Sequence, residues 1–145
     1  MKKVLLGLAL SALTLMPFST LSAHCQMPCG IYHDDLVWGG LYQDVETIEK
    51  AYSEMIANQG STSLERNQFV RWVDLKDHAA DEITRQVSTY FIQQRIKPDD
   101  SKLETKLLAA YDIMHLAMVA KQTVDPAITT KLKNKIDAFQ SLMKK

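Results

Sequence analysis

The sequence contains few of the residues that break or cross-link a chain. Its 145 residues include only 5 glycines, 4 prolines and 2 cysteines, and no segment is repeated or low in complexity. Hydrophobic residues make up 46% and charged residues 23%, which is typical of a folded globular domain and not of a disordered chain. A surplus of basic residues is also lacking, since the formal net charge is zero. We therefore predict no nucleic-acid partner, because such a partner requires a basic face.

Long uncharged runs occur only at the start of the chain. Two lysines precede an apolar run, residues 4–16, which is too short to span a bilayer. Small and helix-breaking residues follow, so residues 1–23 are predicted to be a secretory signal peptide. Cleavage after Ala23 would make His24 the new N-terminus, and cleavage after Ser22 is the alternative. The mature protein is predicted to be exported, to the periplasm or the extracellular space, without stable membrane association.

The remaining chain, residues 33–145, is predicted to be all-α and to form an antiparallel four-helix bundle. Apolar residues recur at spacings of three and four in four segments, and no alternating strand pattern is present. The four helix starts are marked by Asp34 or Asp35, Thr62 with Glu65, Ser101 with Glu104, and Asp125 with Pro126. The first two helices are predicted to end near Gln59 and Ile96, before Gly60 and Pro98.

Each predicted helix has one apolar stripe that should face the core. The stripes comprise Leu41, Val45, Ile48, Tyr52 and Met55; Phe69, Val73, Lys76, Ala80, Ile83, Val87 and Tyr90; Leu103, Leu107, Tyr111, Met114 and Met118; and Ile128, Leu132, Ile136, Phe139 and Leu142. Lys76 is the exception, because a buried ammonium group is costly unless it reaches water or a partner. We interpret Lys76 either as a side chain that extends to the bundle edge or as a charge directed at a functional site.

Both cysteines lie directly after the predicted cleavage site, in HCQMPCGIY at residues 24–32. A free His24 amine, the backbone nitrogen of Cys25 and the Cys25 thiolate would close two fused five-membered chelate rings around a metal. Such a flat site with nitrogen ligands suits Ni(II) or Cu(II). Cys29 can reach the fourth corner through a tight turn, and the His24 imidazole can bind from above. Tetrahedral zinc sites use a different ligand set.

The segment resembles the N-terminal nickel hook of the nickel-containing superoxide dismutases, with the pattern H-C-x-x-P-C-G-x-Y. The six fixed positions of that pattern are occupied by His24, Cys25, Pro28, Cys29, Gly30 and Tyr32. Chain length, the four helices and the segment TYFIQQRIKP extend the resemblance to about residues 24–144. It implies an oxidoreductase that converts superoxide to dioxygen and hydrogen peroxide, with one nickel ion per subunit cycling between Ni(II) and Ni(III). It also implies a homohexamer.

The resemblance further implies roles for individual residues. His24, Cys25 and Cys29 would be the nickel ligands. Tyr32 would stand over the open face of the metal and order water or substrate. Two positions depart from the family, since Gln26 replaces its usual Asp and His33 stands directly after Tyr32.

In the family, a basic residue on the second helix and a carboxylate on the first hold the axial imidazole. Lys76 is the candidate basic residue and would also steer the superoxide anion electrostatically. Arg71 is the alternative. Asp44 or Glu46 would supply the carboxylate.

Two other functions fit part of the pattern. Exported proteins with two cysteines usually form a disulfide, so a bundle with a Cys25–Cys29 bond is one alternative. This bond would close only a very small loop, which contributes little to stability. An exported metal-binding protein without turnover is the other alternative. The complete hook pattern at a predicted N-terminus favours the enzyme.

Overall fold

Four helices make up residues 34–144, the part of the chain that a computed structural model describes. They are α1 (Asp35–Ala57), α2 (Ser63–Gln86), α3 (Leu103–Lys121) and α4 (Pro126–Met143), and α2 continues directly into a π-helix, Val87–Arg95. The described residues contain no strand, which confirms the predicted all-α class. None of the helices described is long and apolar enough to cross a membrane. The predicted signal peptide and hook lie outside the described residues.

The helices form a closed ring in which each packs against two neighbours. Contacts join α1 with α2, α2 with α3, α3 with α4, and α4 with α1. Asp34, at the start of α1, binds Arg95 at the end of the π-helix. Tyr52, late in α1, donates to the carbonyl of Ala120, late in α3. The helices therefore alternate in direction, as expected for an antiparallel bundle.

The core confirms most of the stripes predicted for α1, α2 and α4, although Phe69 and Val73 near the start of α2 are only partly buried. The fully buried members of these stripes are Leu41, Val45, Ile48, Tyr52, Ala80, Ile83, Val87, Tyr90, Leu132, Ile136 and Phe139. Aromatic rings close the core at the end of the bundle where α1 begins. The ring centroid of Phe91 lies 4.3 Å from that of Trp38 and 5.1 Å from that of Phe139. This aromatic group joins the start of α1, the π-helix and α4.

The stripe predicted for α3 is wrong at Leu107, Tyr111 and Met118, whereas Leu103 and Met114 are partly buried against the core. The core-facing residues of this helix are Ala110, Ile113, Ala117 and Ala120. By contrast, Tyr111 is 57% exposed and Met118 is 41% exposed. Apolar residues occupy two faces of α3, and the smaller side chains are the ones that the neighbouring helices cover.

The helix ends confirm some capping predictions and contradict others. Thr62 and Glu65 form the predicted capping box, with the Glu65 amide 3.2 Å from the Thr62 hydroxyl. The Asp125 carboxylate likewise caps α4, since it accepts a hydrogen bond from the Ala127 amide at 2.9 Å. The box predicted at Ser101 is wrong, because α3 begins at Leu103. Its N-cap residue is Lys102, whose side chain makes no capping hydrogen bond.

The first two helices end close to the predicted points. The first ends at Ala57, and Gly60 follows with a φ of +78°, a conformation that favours glycine. The second is helical up to Arg95, but its last nine residues are π-helical. π-Helical segments are rare in proteins, and those that occur are often found at functional sites.

Candidate functional site

Lys76 is the one described member of the five predicted site residues. His24, Cys25, Cys29 and Tyr32 all precede Asp34 and lie outside the described residues. Within residues 34–144, no group of three or more His, Cys, Asp or Glu side chains could hold a metal ion. The bundle therefore offers no competing ligand set there, and the hook residues remain the predicted ligands.

Lys76 is buried and serves the end of another helix. Its side chain is 3% exposed, and its Nζ donates hydrogen bonds to the carbonyls of Ala120, at 3.4 Å, and Lys121. These are last-turn carbonyls of α3, which have no partner within their own helix and carry the negative end of its dipole. Tyr52 of α1 donates to the same Ala120 carbonyl, so Lys76 lies close to the Tyr52 end of α1. Tyr52 is about 27 Å from Asp34 along this helix, at 1.5 Å per residue.

The neighbouring Asp77 supplies a counter-charge. Its Oδ1 lies 2.9 Å from Lys76 Nζ, close enough for an ion pair. Oδ1 nevertheless accepts no hydrogen bond from residues 34–144, because the contact lacks hydrogen-bond geometry. Lys76 is thus held by charge and by two carbonyls at the end of α3. These contacts stabilise the fold, and its predicted role in steering superoxide stays a prediction.

Replacing Lys76 with methionine is expected to lower the free energy of unfolding by about 2–4 kcal/mol. The α3 carbonyls and the partly buried Asp77 would lose their cation, while the volume stays similar. Urea unfolding followed by circular dichroism measures the change. Lys121→Met is the matched control, since it breaks a more exposed pair with Asp81 at 2.8 Å, with an expected cost below about 1 kcal/mol.

Steering by Lys76 makes a different prediction from a structural role. A steering charge would make the loss of turnover larger at low than at high ionic strength, because salt screens the field. Unchanged stability together with a salt-dependent loss of turnover would contradict the structural interpretation.

A polar cluster on α1 and α2 surrounds one of the two predicted carboxylates. In this Asp44 cluster, defined as Asp44, Glu82, Arg85 and Gln86, the Gln86 Nε2 lies 3.0 Å from Asp44 Oδ2 and 3.3 Å from Glu82 Oε1. Arg85 binds both oxygens of Glu82, with Nε at 2.7 Å from Oε2. One amide group therefore joins two carboxylates across the α1–α2 interface.

Gly40 gives the Gln86 side chain its position on α1. A Cβ atom at residue 40 would lie 2.9 Å from Gln86 Oε1, inside contact distance. Gly40 and Gln86 also line a cavity of about 210 Å³ between the two helices, together with Tyr90. The absence of a side chain at residue 40 leaves room for the Gln86 amide, which reaches Asp44.

The environment of Asp44 raises its pKa. Burial is the largest cause and the negative charge of Glu82 adds to it, whereas the Gln86 hydrogen bond and the charges of His78 and Arg85 oppose the shift. Together they raise the pKa of Asp44 from 3.8 to about 6. The hydrogen bond from Arg85 lowers the pKa of Glu82. Asp44 is thus a half-buried carboxyl whose pKa is raised to about 6.

Replacing Asp44 with asparagine is expected to stabilise the nickel-free protein at pH 8 and to have little effect at pH 4. The folded-state pKa is raised, so the protonated carboxyl favours folding and that contribution is lost as pH rises through about 6. The expected gain at pH 8 is about 1 kcal/mol, after a discount for solvent screening. Thermal unfolding at both pH values measures it.

The control for this substitution is Glu46→Gln, on the exposed side of the same helix. It is expected to change stability by less than about 0.5 kcal/mol at either pH. A destabilisation at pH 8 by Asp44→Asn would mean that the charge of Asp44 is favourable in the folded protein.

The structure does not bring the other candidate residues to this cluster. Glu46 is exposed and borders a surface depression together with Trp72 and Leu75. Arg71 is also exposed and borders an adjoining depression with the same two residues. Gln86 and Glu82 were missed by the sequence analysis, because neither belongs to a motif and their contact with Asp44 depends on the packing of α1 against α2.

Comparison with known protein families identifies a match. The profile of the nickel-containing superoxide dismutases matches residues 19–145, which include both the hook pattern and the four helices. Neither a search of curated proteins nor a search of solved structures finds a match. Because the profile covers most of the chain, the chain belongs to the nickel-containing superoxide dismutase family.

Proposed function

We propose that the protein is a nickel superoxide dismutase, which converts two superoxide ions and two protons into dioxygen and hydrogen peroxide. The observation that carries this proposal is the family match over residues 19–145 together with HCQMPCGIY at residues 24–32. The match supports the reaction class. The hook pattern supports the identity of the ligands.

The donor set fits nickel. His24 would provide its amine and imidazole, Cys25 its sulfur and backbone nitrogen, and Cys29 a second sulfur. Thiolates and an anionic amide donate strongly, which favours a flat site for Ni(II) and stabilises a higher oxidation state. Nickel bound here would supply one-electron exchange with superoxide by alternating between Ni(II) and Ni(III), one ion per subunit. Tyr32 would order water or substrate beside it.

We assign to Asp44 the carboxylate that holds the His24 imidazole. A carboxylate that accepts the second N–H of a ligating imidazole fixes the orientation of the ring. Asp44 is half-buried and held by Gln86 at 3.0 Å, whereas Glu46 is exposed. A positioned carboxylate suits this task better than an exposed one, because its own orientation is already determined.

The proposed assembly is a homohexamer, and one face of α3 supports contact between subunits. Leu108 and Tyr111 on this face are 63% and 57% exposed in the single chain, and Leu107 and Met118 extend it. A helix that is apolar on two faces is normally covered on both. A second copy of the chain would cover the outer face.

The test is native mass spectrometry of the purified, exported protein together with a superoxide assay. We expect a subunit that begins at His24, one nickel ion per subunit, six subunits, and turnover that is lost when nickel is removed. Nickel without turnover would support the non-catalytic alternative instead. The purely structural alternative would be supported by a different result. The purified protein would contain a Cys25–Cys29 disulfide, and it would still fail to bind nickel after that disulfide is reduced.

A further inference from the structure

Asp34 stands at the start of α1 but does not cap it. Aspartate at this position normally accepts a hydrogen bond from an amide of the first turn. Here the side chain makes no capping hydrogen bond. The carboxylate binds the π-helix instead, since the hydroxyl of Tyr90 donates to Oδ1 and Nη2 of Arg95 donates to Oδ2 at 2.8 Å. Both oxygens of Asp34 are therefore used in tertiary contacts.

The π-helix puts the two partners of Asp34 within reach of one carboxylate. Tyr90 and Arg95 are five residues apart, and hydrogen bonds from i to i+5 place such residues about one turn apart. In an α-helix, the same two residues would point about 140° away from each other. The bond from the Ile96 amide to the Phe91 carbonyl, at 2.8 Å, belongs to this wider winding. The π-helical winding thus allows both Tyr90 and Arg95 to bind Asp34.

The contact is attached to the buried aromatic group of the core. Tyr90 is 1% exposed, and its ring packs edge-on against Phe91 at a centroid distance of 5.0 Å. Phe91 in turn packs against Trp38, four residues after Asp34. The position of Asp34 is therefore determined by α2 and the core as well as by α1.

We propose that Asp34, Tyr90 and Arg95, here named the N-terminal anchor, are positioning residues that fix where the nickel hook leaves the bundle. The inference rests on the proposed function. Asp34 follows Tyr32 by two residues and Cys29 by five, so it is the point from which the ligand segment extends. Tyr90 also lines the cavity that Gly40 and Gln86 border.

The physical gain is a smaller loss of entropy when nickel binds. Ordering a chain terminus costs about 1–2 kcal/mol per residue, and binding must supply this energy if the terminus is free. An anchor that orders the residues next to the hook in the metal-free protein reduces this cost. Nickel affinity should therefore depend on the anchor, although none of its members is a ligand.

The experiment compares Tyr90→Phe with Tyr42→Phe in the mature protein. Each variant lacks one tyrosine hydroxyl that donates to an aspartate. Tyr90 donates to Asp34. Tyr42 donates to Asp137 at 2.6 Å, on the α1–α4 side of the bundle. We expect Tyr90→Phe to weaken nickel affinity about tenfold, the effect of one lost hydrogen bond to a charged group. Tyr42→Phe should change nickel affinity less than twofold. Chelator competition measures both affinities, and urea unfolding measures global stability.

Hydrogen exchange in the nickel-free protein gives a second readout. The amides of Val37 and Trp38 donate to the Asp34 carbonyl at 3.0 Å. Tyr90→Phe should speed their exchange about tenfold, and Tyr42→Phe should leave it unchanged. Unchanged exchange, or equal losses of nickel affinity in the two variants, would overturn the anchor. Failure of the unaltered protein to bind nickel would instead overturn the proposed function, and the exchange data would still judge the anchor.

Discussion

Replacing either Cys25 or Cys29 with serine is expected to abolish both nickel binding and dismutation. A thiolate is the ligand that a nickel ion in this flat site requires, and a serine hydroxyl stays protonated and donates weakly. We expect nickel content below about a tenth of an equivalent and turnover at background, since structural thiolate–metal sites contribute roughly 10 kcal/mol or more of binding energy. Metal analysis and stopped-flow measurement of superoxide decay test this.

Gln26→Ala provides the control for the cysteine variants. It changes a hook residue that lies between the two sulfurs and is not a predicted ligand, so nickel content should stay near one per subunit. Circular dichroism should show the same helix content in all three variants, because the bundle is predicted to fold without the hook. Turnover that survives in Cys25→Ser or Cys29→Ser would disprove the proposed metal site.

Retaining one extra residue before His24 is expected to lower nickel affinity by at least about a hundredfold, by analogy with the loss of a ligand or its support at other metal sites. A chain that begins at Ala23 converts the His24 amine into a peptide amide. The two fused chelate rings then lose their terminal nitrogen, although every side chain is unchanged. Chelator competition on proteins that begin at Ala23 and at His24 measures the difference.

Removal of Ala23 by an aminopeptidase supplies the internal control for this comparison. The trimmed protein should recover the nickel affinity and the turnover of the chain that begins at His24. Equal affinity of the two chains before trimming would show that the amine is not a ligand. The side chains of the hook alone would then hold the metal.

The sequence predicts most of the bundle because three helices carry one apolar stripe each. Leu41, Ile48 and Ile83, for example, lie in such stripes and are fully buried. In α3 the apolar residues cover two faces, and spacing cannot tell which face the neighbours occupy. Packing favours Ala117 and Ala120 because small side chains let the helices approach closely, while Tyr111 remains outside.

The π-helix and the contacts of Asp34 could not be predicted in the same way. The apolar spacing of α2 runs through Val87 and Tyr90 without a break, so the pattern does not reveal the change of winding. Asp34 matches a capping signal, but its carboxylate finds better partners more than fifty residues away. A local signal was overridden by tertiary hydrogen bonds.

In the candidate site, too, some residues could be identified from sequence and others only from the structure. The proposed ligands could be named from sequence because they form a contiguous motif whose members are close together along the chain. The choice of Asp44 over Glu46 needed the structure, since it depends on how deeply each residue lies and on the reach of Gln86. For Lys76, the pattern predicted burial correctly, and the structure added the α3 carbonyls as its partners.

The missing cap on α1 has a consequence for the order in which the chain folds. The side chain that opens α1 is held by bonds from Tyr90 and Arg95, and these bonds can form only after the end of the π-helix has packed against the start of α1. Contacts over such a separation form late, because a long loop must close first. The opening residues of this helix should therefore be the last to become ordered on folding and the first to unravel on heating.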